Sequence, residues 1–140
     1  MIVFIDTNLI LDILQNRMPF YHSSNTVLTY CASGQIKGYI ALHSISNLFY
    51  VLKNYYSTKE RKRLLLGILN FLQIAEVKHD TIKNVLLRTD FPDFENCLQD
   101  ECAKRVHASY IITRNAGDFS SSEIPVLTPI DFLKKIETNK

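Results

Sequence analysis

The chain alternates short, continuous apolar runs with longer stretches in which apolar residues recur every three or four positions. The first run, Ile2–Ile5, predicts a strand that is buried on both faces of a parallel sheet. Similar runs predict four further strands, at residues 37–40, 74–77, 110–112 and 125–127. The chain therefore carries the pattern of a sheet protein whose strands are separated by other elements.

Helical periodicity fills the intervals between these strands. Strands that alternate with helices need right-handed crossovers, which build a parallel sheet covered by helices on both faces. The predicted fold class is α/β, a three-layer sandwich around a central parallel sheet of about five strands. We expect residues 1–140 to form a single domain, because this length suits one hydrophobic core. The predicted helices span residues 9–15, 21–32, 41–55, 59–72, 80–87, 93–107 and 131–136.

Composition excludes several classes of protein without choosing a function. The chain is 46% hydrophobic and 21% charged, as in an ordinary globular protein, and it has no apolar run as long as a membrane span. We expect no signal peptide, no membrane association and a cytoplasmic location. The net charge of +2 permits a nucleic-acid partner but does not argue for one. The odd number of cysteines, without metal-ligand spacing, predicts reduced and mostly buried thiols at Cys31, Cys97 and Cys102.

The first candidate for chemistry is Asp6, which directly follows the first predicted strand and precedes a helix. In open α/β sheets, ligands bind at the carboxyl ends of the strands, so a functional carboxylate is one interpretation of Asp6, although this stretch alone favours a helix cap. An alternative is that Asp6, Thr7 or Asn8 only caps the following helix, which is the commoner use of such residues. Other carboxylates that reach the same place would favour the functional interpretation.

Three further acids are predicted near that edge of the sheet. Asp93 and Glu95 stand at the start of a helix, and Asp118 lies in the loop after the strand at 110–112. Grouped carboxylates repel one another, and a divalent cation such as Mg²⁺ or Mn²⁺ removes that cost. The alternatives are an N-cap for Asp93 and a dipole-stabilising acid for Glu95. Four scattered histidines give no zinc pattern, and we interpret each as structural or surface-exposed: His22, His43, His79 and His107.

The order of four motifs along the chain resembles the PIN domain family. They are IDTN at 5–8, SISNLFYVL at 44–52, DFENCLQ at 93–99 and IITRNAGDF at 111–119, and the likeness continues to PVLTP at 125–129. The resemblance implies a compact α/β nuclease that binds Mg²⁺ or Mn²⁺ through acidic residues and cuts RNA. It also implies a possible toxin of a toxin–antitoxin pair, inhibited by a small antitoxin, and a homodimer.

Matched by position, Asp6 corresponds to the family's first metal-binding aspartate, and Thr7 and Asn8 to the turn beside the site. Asn47 stands where most members have a mid-helix glutamate, and Asn96 where an aspartate is usual. Asn115 falls where many members carry an acid, although a variant group has Asn there and tends to lack the mid-helix glutamate. An amide oxygen can bind a hard cation, but it brings no charge and cannot act as a general base.

The resemblance assigns three kinds of role. The predicted catalytic residues are Asp6, Glu95 and Asp118. The predicted metal-binding residues are Asp6, Asp93, Glu95, Asn96, Asn115 and Asp118. The predicted substrate-binding residues are Thr7, Asn8, Asn47, Thr113 and Arg114.

Two functions from different classes follow. The first is a metal-dependent, toxin-like endoribonuclease that hydrolyses RNA phosphodiester bonds. The second is a catalytically weak or inactive scaffold that binds RNA or a protein partner, which the three asparagines favour. A flavodoxin-like enzyme is a third option, but no glycine-rich phosphate loop follows the first strand. The apolar helices around 42–52 and 64–72 suggest a homodimer or antitoxin contact.

Overall fold

A five-stranded, all-parallel sheet forms the centre of the molecule, in the order β3-β2-β1-β4-β5. The computed structural model describes residues 1–138. The first strand is central because it pairs with β2 on one side and with β4 on the other. Chain connections reverse direction at this strand, which opens a crevice at its carboxyl end. The strands are β1 (Ile2–Ile5), β2 (Lys37–Ile40), β3 (Leu72–Ile74), β4 (Tyr110–Ile112) and β5 (Val126–Leu127).

Helices cover both faces of the sheet, as the three-layer prediction requires. Within the described residues they are α1 (Thr7–Leu14), α2 (Tyr21–Ala32), α3 (Leu42–Val51), α4 (Thr58–Ile68), α5 (His79–Leu87), α6 (Phe94–Arg105) and α7 (Pro129–Thr138). Two short 3₁₀ turns add to them, at Leu52–Asn54 and Ala116–Phe119. No helix in residues 1–138 is both long enough and apolar enough to cross a membrane.

Alternate residues of β1 point into two separate cores. Val3 and Ile5 pack with residues of α1, α2, α3, α4 and α7. Phe4 packs on the opposite face with residues of α5 and α6. Such full burial on both sides explains why the strand has four consecutive apolar residues. The three cysteines are free and buried, as predicted.

The predicted bounds of β1, β2, β4 and α2 are confirmed, but those of β3 are wrong. A helix was predicted to reach residue 72, with a strand at 74–77; instead α4 ends at Ile68 and β3 begins at Leu72. Leu65, Ile68 and Leu72 are all buried and continue the same helical spacing, so periodicity alone does not mark the boundary. Leu72 belongs to the sheet, where it pairs with Gly38, and a Cβ at Gly38 would lie 2.6 Å from Leu72 Cδ2.

Candidate functional site

A polar cavity of about 290 Å³ lies at the carboxyl end of β1. Its wall is formed by α1, α3, α6 and the turn after β4, so four separate segments contribute to it. Eight of the residues predicted for the site line this cavity: Asp6, Thr7, Asn8, Asn47, Glu95, Asn96, Asn115 and Asp118. Three predicted residues, Asp93, Thr113 and Arg114, lie outside its wall.

Asp6 is the fixed carboxylate of the cavity. It occupies the N-cap position of α1, but its side chain makes no capping hydrogen bond. Its Oδ2 instead accepts a hydrogen bond of 2.8 Å from the hydroxyl of Thr113 and a weak one of 3.5 Å from the amide of Asn8. Both bonds end on the same oxygen, so Oδ1 is the side from which a ligand can be bound. The capping alternative therefore does not explain this side chain.

Thr113 does not line the cavity but holds Asp6 through a hydrogen bond. It is fully buried at the end of β4, and besides donating to Asp6 its hydroxyl accepts a bond of 3.1 Å from the backbone N–H of Asn115. One hydroxyl thus ties the first strand to the turn that carries Asn115 and Asp118. Thr7 has a comparable role, since its hydroxyl bonds that of Ser44 on α3 at 2.6 Å.

Arg114 points away from the cavity. Its Nε lies 3.0 Å from Oδ2 of the buried Asp12, and its guanidinium stacks 4.1 Å from the ring centroid of Phe20. Nε nevertheless forms no hydrogen bond. The predicted substrate-binding role of Arg114 stays a prediction, and it requires the guanidinium to leave Asp12.

The two acids at the start of α6, Asp93 and Glu95, have different surroundings. Asp93 is the N-cap, and its Oδ1 accepts a bond of 2.9 Å from the backbone N–H of Asn96. Capping thus accounts for Asp93, as the alternative interpretation predicted. Glu95 and Asn96 lie in the first turn and line the cavity, with Glu95 exposed to solvent.

The donor chemistry of the cavity fits a hard divalent cation. Every predicted ligand that lines it offers carboxylate or amide oxygen, which are the ligands that Mg²⁺ and Mn²⁺ prefer. The acids are nevertheless spread apart: within residues 1–138, no three His, Cys, Asp or Glu side chains are grouped closely enough to hold a metal. Asp6 is buried and fixed, whereas Glu95 and Asp118 are exposed at the cavity edge. A bound cation would therefore have to draw the exposed acids towards Asp6.

Five residues of the cavity wall were not predicted as site residues, and two of them, His43 and Gln99, carry buried polar atoms. Both ring nitrogens of His43 and Oε1 of Gln99 are buried without a hydrogen-bond partner. Burial lowers the pKa of His43, and the carboxylates of Glu95, Asp6 and Asp93 partly oppose this effect. Their spacing along the chain could have predicted them. Gln99 follows Asn96 by one helical turn and His43 precedes Asn47 by one turn, so each lies on the same helix face as a predicted site residue.

An apolar groove of about 860 Å³ adjoins the cavity and shares His43 and Tyr50 with it. Tyr50 is 66% exposed, and the Lys53 ammonium lies 3.9 Å from the centroid of its ring. The groove is lined mainly by aliphatic and aromatic side chains: Leu42, Ile45, Phe49, Val77, Ile82 and Leu98.

The fold is a parallel α/β sheet, and side chains with carboxylate or amide oxygens line a cavity at the carboxyl end of its central strand. The candidate site therefore lies at the topological switch point of the sheet. A family model described as the PIN domain matches residues 2–117, so the chain belongs to the PIN domain family. A comparison with curated proteins gives no match.

Solved structures confirm the fold. A toxin–antitoxin complex from Klebsiella pneumoniae has a chain that is 22% identical, with a TM-score of 0.68, and the match covers 91% of this chain and 97% of that one. VapBC2 from Rickettsia felis, bound to a DNA fragment from its promoter, is 14% identical, with a TM-score of 0.65 and coverage of 91% and 98%. VapC20 from Mycobacterium tuberculosis, described as a Sarcin-Ricin loop cleaving toxin, is 14% identical, with a TM-score of 0.64 and coverage of 87% and 95%.

Proposed function

We propose that this protein is a metal-dependent endoribonuclease and the toxin of a toxin–antitoxin pair. The observation that carries the proposal is the cavity itself, whose wall includes three carboxylates and two amide side chains: Asp6, Glu95, Asp118, Asn96 and Asn115. Membership of the PIN domain family supports it, as does the likeness to a toxin described as cleaving the Sarcin-Ricin loop.

Mg²⁺ or Mn²⁺ is the proposed cofactor. The residues that would hold it are Asp6, Glu95, Asn96, Asn115 and Asp118. When bound, such a cation polarises a phosphoryl oxygen and makes water a stronger nucleophile. Asp93 contributes indirectly, because its cap fixes the backbone of Asn96.

The chain's own residues position the substrate and the acids. Thr113 holds Asp6 with one carboxylate oxygen turned away from the bond. Asn8 and Asn47 offer amide groups in the cavity wall that can donate hydrogen bonds to phosphate or ribose oxygens. Tyr50 stands on the rim with most of its side chain exposed, which suits stacking with an RNA base.

The proposal includes two protein contacts, a small antitoxin and a second copy of the chain. The apolar groove beside the cavity and the 56% exposed Leu42 support a protein partner. Several structural neighbours come from toxin–antitoxin complexes. A protein that elutes as a clean monomer at micromolar concentration would count against the homodimer.

A second candidate function is an RNA- or protein-binding scaffold that cuts weakly or not at all. The observation that favours it is the open arrangement of the acids, together with asparagine at positions 47, 96 and 115. Amide oxygens add no negative charge, so they attract a cation less strongly than carboxylates do.

Cleavage of a mixed RNA pool with Mg²⁺ or Mn²⁺ tests both functions. The native chain is compared with Asp6→Asn and with a matched control, Asp80→Asn, which changes an exposed acid in the first turn of α5. Cleavage that needs metal, survives in the control and disappears in Asp6→Asn supports the nuclease. If none of these chains cuts but Asn96→Asp does, the native protein is a binding scaffold.

A further inference from the structure

Buried polar atoms that lack a hydrogen-bond partner are concentrated in the wall of the cavity. Residues 1–138 contain five such side-chain atoms. Two of them, Asp12 Oδ1 and Arg114 Nε, belong to one ion pair. The other three are both ring nitrogens of His43 and Oε1 of Gln99, and both of these residues line the cavity. Native proteins leave few buried polar groups unpaired, so a cluster at one site calls for a ligand that pairs with them.

The chemistry of these atoms narrows the ligand. Because burial lowers the pKa of His43, the ring is neutral at pH 7 and presents one donor and one acceptor. Oε1 of Gln99 is an acceptor only. A phosphate oxygen accepts but does not donate, so it would leave two of the three atoms unpaired. A hydroxyl group can accept from the ring N–H of His43 and donate to Oε1 of Gln99, so it pairs two of the three atoms.

We infer that His43 and Gln99 bind a ribose 2′-hydroxyl of the RNA strand and so select RNA over DNA. The inference rests on the proposed function, because it assumes that a single nucleic-acid strand enters the cavity. The 2′-hydroxyl is the group by which a protein distinguishes the two nucleic acids at a given position. Its place beside the acids puts the selected ribose next to the phosphodiester that they face.

The unpaired atoms reach this ligand by small side-chain rotations. They are closed to bulk water in the free protein, although the side chains that carry them form part of the cavity wall. The terminal torsions of His and Gln have broad energy wells, so turning the ring or the amide costs little. Hydrogen bonds of a functional site commonly tighten only when the substrate is bound.

Binding of matched RNA and DNA oligonucleotides, measured by fluorescence anisotropy in EDTA, tests the inference without needing cleavage. The variants are His43→Phe and Gln99→Met, which keep approximate size and remove the unpaired atoms. The control is His22→Phe, which changes an exposed histidine on α2. We expect each cavity variant to lose about tenfold in RNA affinity and to keep its DNA affinity, because a site built to bind a hydroxyl discriminates against its absence.

A substrate series locates the hydroxyl. Single 2′-deoxy substitutions along the RNA should reproduce the tenfold loss at one position in the native chain and have no further effect at that position in His43→Phe. A loss in His43→Phe that is equal for RNA, DNA and every 2′-deoxy substrate would overturn the inference, since His43 would then bind a water molecule or phosphate. Native protein that binds RNA no better than DNA would also overturn it.

Thermal unfolding of the same variants separates a ligand-binding role from a structural one. Removing unpaired buried polar atoms should leave the Tm unchanged or raise it. A fall in Tm with no change in RNA preference would make His43 and Gln99 structural residues and overturn the inference. If the native chain prefers RNA through these residues but does not cut it with metal, the nuclease proposal fails and this inference stands.

Discussion

Asp12 and Asp100 are both fully buried carboxylates that face an arginine, yet their surroundings differ. Both oxygens of Asp100 are used: Oδ2 accepts a bond of 2.8 Å from Arg88, and Oδ1 accepts a short bond from Ser122. Asp12 Oδ2 accepts a bond of 3.0 Å from Ser24 and faces Arg114, but its Oδ1 has no partner. One network is complete and the other is not.

The difference assigns the two carboxylates different tasks. Asp100 connects the end of α5, helix α6 and the segment after the turn at Ala116–Phe119, so it braces the elements that carry Glu95 and Asp118. Asp12 instead accepts a bond from Ser24 on α2 and holds Arg114 behind the site. Burial raises the pKa of Asp12, although Ser24 and Arg114 oppose this effect. The complete network around Asp100 fixes the position of the elements it connects. The incomplete network around Asp12 leaves Arg114 able to bind a stronger anion.

The largest expected effect is that of Asp100→Ala. Asp100→Ala removes the fully buried partner of Arg88 and leaves the Ser122 hydroxyl without its acceptor. Glu101 and the exposed Asp90 still pair with Arg88, so the cost is about 3 kcal/mol, at the lower end for breaking a buried ion pair. We expect urea denaturation to show a loss of this size in the free energy of unfolding, with RNA cleavage impaired in the protein that remains folded. A loss below about 1 kcal/mol, the size of an exposed pair, would contradict the role of Asp100 as a brace.

Asp12→Asn should cost much less. The amide keeps the size of the side chain, and it removes a buried charge that is only partly satisfied, so we expect a change within about 1 kcal/mol in either direction. The same urea titration measures it. A loss as large as that of Asp100→Ala would remove the distinction between the two networks.

The pH dependence of stability gives a third comparison. Because the folded-state pKa of Asp12 is raised above its ordinary value of 3.8, the folded protein binds this proton more readily than the unfolded chain does. The contribution of Asp12 to stability therefore increases as pH falls through the folded pKa towards 3.8. Asp12→Asn should abolish this contribution, which the difference between the two unfolding curves between pH 4 and 7 would reveal. A difference that does not change with pH would contradict it.

Asp90→Asn should have the smallest effect at neutral pH. Asp90 is exposed and pairs with Arg88 through bonds of 2.8 and 3.0 Å, which lower the pKa of its carboxyl. Its contribution is present above pH 3.8 and is lost as pH falls through the lower, folded-state pKa, opposite in sign to that of Asp12. Thermal unfolding at pH 7 and pH 3 measures this slope, and a large loss at pH 7 would place Asp90 in the brace.

Much of the fold follows from local pattern. The apolar run Ile2–Ile5 specifies a central strand because burial on both faces leaves few places for polar residues. The same pattern predicted that Asp6 lies at the carboxyl end of that strand, and most of the predicted site residues line the cavity found there. Apolar periodicity did not predict where α4 ends and β3 begins, because Leu72 would be buried in either a helix or a strand.

The contacts inside the cavity were less predictable. A sequence does not give the rotation of α3 and α6 about their axes, which turns His43 and Gln99 into the wall. Nor does it reveal that Arg114 pairs with Asp12, since the two residues lie far apart in the chain. The N-cap role of Asp93 was easier to predict from the sequence, because a helix cap depends only on residues that are close in the chain.

The bond from Thr113 to Asp6 joins residues 107 positions apart, and it sets the order in which the site is made. The first strand leaves the ribosome well before its partner β4 and the hydroxyl that fixes Asp6. Contacts this distant in sequence form late because the intervening chain must close first. A nascent chain therefore cannot complete the cavity until the segment that carries Thr113 has been translated.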